Sequence, residues 1–153
     1  MEERTNQNYD PYTNGNEEIE KAIHQCYLQS SPIALMGVLT AIHLRMVEDG
    51  HLIVPVDVFE GADGSACFNL KAIQLEDQQV AVPAFTSQKE FEKGPQCGAL
   101  SHFIDSVLAA VYEQDDCAGL LLNPFGESFL LTKDLISAIL VKNTTTTETY
   151  KPQ

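Results

Sequence analysis

The chain has 153 residues, 44% of them apolar, and 22 acidic against 9 basic side chains give it a formal charge of −13. That length suits one domain with a proper core. The lack of any Lys/Arg cluster argues against direct nucleic-acid binding, so the acidity points to a basic protein partner or to solubility alone.

The first eight residues, Met1 to Asn8, lack the basic start and apolar centre of a signal peptide, and no apolar run approaches the ~20 residues of a membrane span. A cytoplasmic location away from membranes is therefore expected. Cys26, Cys67, Cys97 and Cys117 are scattered singly, which in a reducing compartment means free thiols.

In chain order, residues 1–15 carry no apolar periodicity and are expected to form a disordered tail; residues 143–153, with Thr144 to Thr147 in a row, are expected to do the same. Between them, 16–142 form a single domain. Ile19, Ala22, Ile23, Cys26 and Tyr27 recur at helical spacing opposite Glu17, Glu18, Glu20, Lys21 and Gln25, which predicts an amphipathic helix beginning near Asn16. Ser31 as N-cap and Pro32 at the first helical position open a second helix, with Gly50 as its left-handed stop. Apolar over most of its circumference, that helix is expected to be the central buried one.

His51 to Val58 reads as a strand, Glu60 to Ser65 as a turn-rich loop, and Cys67 to Leu75 as a second strand. Asp77-Gln78-Gln79 turns the chain into Val80-Ala81-Val82-Pro83-Ala84, so three strands are expected in an antiparallel meander, with Pro83 near an edge or a strand end. Ser87 followed by Glu90 predicts a capping box for a short helix that ends near Gly94-Pro95. Leu100, Phe103, Ile104, Val107, Leu108 and Val111 then give the cleanest helical stripe, stopped by Glu113, Asp115 and Asp116. Ala118 to Leu122 and Ser128 to Leu131 read as strands joined by Asn123-Pro124-Phe125-Gly126, a type I turn with Pro second and Gly fourth. Thr132 caps a last helix with Leu135, Ile136, Ile139 and Leu140 facing inward. The order predicts an α+β fold, with helices packed on a mostly antiparallel or mixed five-stranded sheet.

Four separated patches, Leu52-Ile53-Val54-Pro55-Val56, Val82-Pro83-Ala84-Phe85-Thr86-Ser87, Gly119 through Gly126, and the helix after Leu131, resemble the N-terminal domain of the SseB family, named for enhanced serine sensitivity. The resemblance covers roughly residues 32–142. It implies a bacterial, cytoplasmic, small α+β domain without an established catalytic activity to carry over.

The residues offer little chemistry. Gly61-Ala62-Asp63-Gly64 lacks the third glycine and the helix start of a phosphate loop. Asp57, Glu60 and Asp63 do not match a calcium loop, and His24 and Cys26 point to different sides of one helix. No cofactor and no metal are expected. Cys97 is the one thiol with a case for reactivity, lying just before the predicted Leu100 helix with His102 nearby. The sharper candidate is the surface formed by Phe85, Thr86, Asn123, Pro124, Phe125 and Gly126. An exposed Phe125 at the turn tip would anchor a protein partner, whereas a Phe125 folded onto Phe85 or Phe129 would only plug the sheet. The expected function is a non-enzymatic binding module of unidentified partner and open oligomeric state. The alternatives are an immunity-type protein that neutralises a basic toxin through the acidic faces around Glu17 to Glu20 and Glu113 to Asp116, and a Cys97-dependent enzyme.

Overall fold

The computed structural model describes residues 13–149, with side chains described up to Val141. The twelve N-terminal residues and residues 150–153, which belong to the predicted tails, lie outside the described residues. Helix α1 (Glu17–Leu28) and helix α2 (Pro32–Val47) lead into β1 (His51–Glu60), β2 (Ala66–Leu70), β3 (Ile73–Gln74) and β4 (Val80–Ala84). The short α3 (Gln88–Phe91), β5 (Ala99–Phe103), α4 (Ile104–Tyr112), the hairpin β6 (Cys117–Leu122) and β7 (Phe129–Thr132), and α5 (Lys133–Thr149) complete the order. Helix α5 thus runs past the predicted boundary at residue 142.

The fold is α+β, but the predicted five strands are seven, in a three-stranded sheet β2-β1-β5 and a four-stranded sheet β3-β4-β6-β7. A single bridge between Ile53 and Phe85 joins the two sheets. The predicted meander divides at this seam. The distal half of β1 pairs with β2 from Val56 to Glu60, while β3 and β4 pair in the other sheet. The proximal half of β1, His51 to Pro55, pairs instead with Phe103 to Ala99.

That pairing also corrects the Leu100 helix: Leu100 and Phe103 fit a helical spacing, but they belong to β5, and the helix begins at Ile104. Strand β4 runs parallel to β6, a pairing that needs a long crossover, here α3, β5 and α4. Because β3 reaches only Val80 and Ala81, Pro83 lies beyond its ladder, where a missing N–H costs nothing.

Caps follow the sequence closely. Ser31 Oγ accepts from the Ala34 amide at 3.0 Å, Ser87 Oγ from the Glu90 amide at 3.2 Å, and Thr132 Oγ1 from the Leu135 amide at 3.4 Å. The capping box at Ser87 is only half made, since Glu90 Oε2 accepts from Lys93 at 2.9 Å instead of reaching back.

The left-handed residue after α2 is Asp49 (φ 62°), not Gly50. The Gly50 amide bonds to the Arg45 carbonyl and the Asp49 amide to that of Met46, the paired pattern of a Schellman stop. Gly50 is needed for a different reason: a Cβ there would lie 2.6 Å from the Arg45 guanidinium, which passes over it.

Ile19 and Ile23 of α1, Val38 and Ile42 of α2, Ile104 and Leu108 of α4 and Ile136 of α5 pack on Leu52, Ala84, Leu120 and Leu131 of the sheets. Helix α2 is not the central helix expected. Only Val38, Ile42, Arg45 and Met46 are buried, and Ile33, Met36, Leu44 and Val47 are exposed.

Candidate functional site

Strand alternation sends consecutive residues of the β4 end to opposite sides. Thr86, fully buried, turns toward α1, and Phe85 turns toward α3 and the 123–126 turn. The Asn123 amide donates to the Ala84 carbonyl at 2.8 Å, which fastens the turn to the end of β4. Asn123 takes φ 51°, a region Asn tolerates better than most residues, and the Gly126 amide closes the turn onto the Asn123 carbonyl at 3.0 Å.

The Thr86 side is a closed polar clasp. The Thr86 amide donates to Asn123 Oδ1 at 3.0 Å, and Asn123 Nδ2 donates back to Thr86 Oγ1 at 3.0 Å. The hydroxyl proton goes to Glu20 Oε2 at 2.5 Å, the short distance typical of a hydroxyl facing a carboxylate. Asn16 Nδ2 spans the carbonyls of His51 (2.8 Å) and Thr86 (2.9 Å), and Arg45 Nε donates to Asn16 Oδ1 at 2.8 Å. Asn16 therefore does not cap α1 with its side chain, because its amide ties α1 to the meeting point of β1 and β4. Each hydrogen bond to these buried groups replaces one to water, and removing a partner would strand the group left behind.

The Phe85 side is open and apolar. Phe125 stacks over Phe85 with ring centroids 6.2 Å apart and planes 19° from parallel, and Phe91 meets Phe85 edge-on at 5.3 Å. Both sequence alternatives for Phe125 hold together: the ring rests on Phe85, yet 45% of the residue is exposed. It forms one lip of a recess of about 170 Å³ whose walls include Pro55, Ile73, Pro83, Phe91 and Pro95. Gly94 is required here, since a Cβ would lie 2.3 Å from the Phe125 ring.

Beyond the shared wall of α3 and the turn lies a polar cleft of about 180 Å³, lined by Glu20, Glu90, Lys93, Asn123 and Glu127. His24 holds Glu127 at 2.9 Å on its margin. Lys71, on the recess wall, donates to Asp57 at 2.6 Å, and this hydrogen bond raises its pKa above the ordinary lysine value.

The structure thus brings together all six predicted surface residues but divides their roles. Against that expectation Phe85, Thr86 and Asn123 are buried and Pro124 is half-buried, so of the six only Phe125 and Gly126 are exposed, and Phe85 serves as the floor under the Phe125 ring. Asn16, Glu20, Arg45, Phe91 and Gly94 were missed. Glu20 reads as one more solvent-facing acid of α1, and nothing local distinguishes Gly94 from a turn residue.

Cys97 is exposed, but the helix that was to face it begins only at Ile104, and the His102 ring accepts from the Phe103 amide at 2.8 Å. The helix-terminus argument for its reactivity therefore fails. Of the acidic faces, Glu17, Glu18 and Glu113 to Asp116 are exposed, whereas Glu20 is drawn into the clasp. Among the described residues no group of three or more His, Cys, Asp or Glu is placed to hold a metal ion, and no helix is long and apolar enough to cross a membrane.

Two short sheets joined at one bridge, with four helices packed on them and a turn clasped to the end of β4, define a small α+β domain. The family model for the SseB protein N-terminal domain matches residues 19–138, from α1 into α5. The chain belongs to that family, and the matched span includes both sides of the site. No curated protein and no solved structure matches the chain.

Proposed function

We propose that this domain is a non-enzymatic, cytoplasmic protein-binding module whose contact surface is the open end of the sheet around Phe85, Phe91 and Phe125. The observation that carries the reading is the half-exposed Phe125 on the lip of an apolar recess, held by a turn whose neighbour Asn123 is fully engaged. A preformed aromatic pocket of this size takes one apolar side chain without reorganisation. The adjoining cleft, with three carboxylates and one lysine, favours a basic group beside that side chain. Neutralisation of a basic toxin is a separate alternative that would use the acidic faces around Glu17 to Glu20 and Glu113 to Asp116 instead of the recess.

The test is an NMR titration of the ¹⁵N-labelled protein with the peptide acetyl-Lys-Phe-Lys-amide and with its Lys-Ala-Lys counterpart. Saturable shifts at Phe91, Gly94 and Phe125 with the first peptide, absent with the second and in Phe125→Ala, are expected. Capture from bacterial cytoplasm provides the physiological arm, with a partner retained by the intact protein and lost by Phe125→Ala. Equal shifts in the Phe125→Ala variant would remove the recess from the reading.

A further inference from the structure

Helix α2 carries apolar residues on a side that no other described residue of the domain covers. Ile33 is 84% exposed and Val47 57%, with Met36 and Leu44 about half exposed. With Gly37 and Thr40, also exposed, Ile33, Leu44 and Val47 recur at alternating steps of four and three residues, the repeat of a helix seam that faces another helix, and Met36 lies beside Gly37. From Ile33 to Leu44 the seam lines a groove of about 850 Å³ between α1 and α2.

Gly37, at the middle of the seam, makes room for no other part of the described domain. A Cβ there would meet nothing within 4 Å, and its φ lies outside the left-handed region. A glycine weakens a helix interior relative to alanine, and its usual compensation is close approach by another backbone.

We propose that this face binds a second copy of the same chain, the two α2 helices packing antiparallel about a two-fold axis near Thr40. The seam is self-complementary about that point. Ile33 lies seven residues before Thr40 and Val47 seven after it, and Met36 and Leu44 lie four residues to either side. An antiparallel pair therefore brings Ile33 toward the second copy's Val47 and Met36 toward its Leu44, apolar against apolar on both sides of Thr40, which meets its own copy on the axis as an isologous interface requires.

Charge selects this occupant over a basic partner. On a chain of −13, the groove margin is neutral: Lys21 pairs with Glu18 at 3.5 Å and Arg45 with Glu48 at 2.9 Å. No uncompensated charge on that margin calls for a cationic ligand. The area suits a modest dimer. A helix of this length is about 24 Å long, and a strip two helices wide on each copy gives on the order of 1,000 Å² in total, the lower end of specific interfaces.

Sedimentation velocity of the full chain over a concentration series tests the proposal. A reversible dimer is expected to appear in the micromolar range and to tighten as salt is raised, because screening relieves the repulsion between two acidic copies. Leu44→Glu should raise the dimer Kd by roughly 30-fold or more. Gly37→Gln meets open space in the monomer, so it should abolish dimerisation while leaving the thermal midpoint of the monomer unchanged or higher. In a mixed sample of differently labelled copies, isotope-filtered NMR should show contacts between Met36 and Leu44 methyls, which lie two helical turns apart within one chain. A monomer at all concentrations, including one in which the N-terminal residues occupy the groove, would overturn the proposal. So would a dimer indifferent to both substitutions, or one without the Met36–Leu44 contact.

Discussion

Thr86 and Phe85 are neighbours in the chain, and Asn123 and Phe125 are two residues apart, yet each pair is split between a closed half and an open half of one site. In the closed half, Thr86, Asn123, Glu20 and Asn16 bond to one another and to strand-end carbonyls, with Thr86 at 0% exposure. In the open half, Phe125 rests on Phe85 but keeps nearly half of its surface in water. The difference separates stability from recognition. Groups whose bonding is consumed inside the fold hold the turn in place, and the apolar surface left over beside them is available to a partner.

That division predicts unequal responses to substitution. The largest belongs to Asn123→Ala, which removes the bonds to the Thr86 amide and hydroxyl and puts alanine at φ 51°. It should lower the unfolding free energy by about 3 kcal/mol, read by urea denaturation. A loss below about 1 kcal/mol would mean that the clasp does not hold the turn.

Thr86→Val keeps the shape but leaves Glu20 Oε2 and Asn123 Nδ2 without their partner, at a cost of about 2 kcal/mol. A double-mutant cycle with Glu20→Gln should return a coupling energy, and simple additivity would show that the two act separately. The open half should respond the other way. Phe125→Ala removes a half-exposed ring and should shift stability by only about 1 kcal/mol, while the peptide-induced NMR shifts disappear. Gly94→Ala sharpens the contrast because its Cβ would displace the Phe125 ring from 2.3 Å without altering Phe125 itself. Binding should be lost with little change in the denaturation midpoint; retained binding would detach the recess from the ring.

The smallest effect concerns Lys71. Its hydrogen bond to Asp57 raises the folded-state pKa, so the contribution of the pair is fully present below the ordinary lysine value and is lost as pH rises through the raised one. An NMR titration of the Lys71 side chain should show a midpoint above that of a free lysine, and Asp57→Asn should return it to the ordinary value.

Much of the architecture was legible in the sequence because it depends on neighbours in the chain. Ser31-Pro32, Ser87 with Glu90, Thr132 and the Asn-Pro-Phe-Gly turn announce helix starts and a reversal through groups only a few residues apart, and each occurs where expected. The misses share a cause. Leu100 and Phe103 satisfy a helical spacing, but pairing with Val54 and His51 of β1 places them in a strand, and that partner is some fifty positions away. Gly50 looked like the left-handed stop, yet Asp49 takes that conformation and Gly50 instead makes room for Arg45. Helix α2 was read as central from its composition, which records how apolar a helix is but not which of its faces its own domain covers.

By itself, the sequence determined the α+β class, the helix caps and the Asn123–Gly126 reversal, all from interactions within one or two turns of chain. The tertiary structure alone decided that Thr86 and Asn123 are sealed while Phe125 stays open, that β4 lies parallel to β6, and that one side of α2 is left uncovered by the described residues. The physical reason is that burial and strand partnership are properties of pairs distant in the chain, so no local pattern of residues contains them.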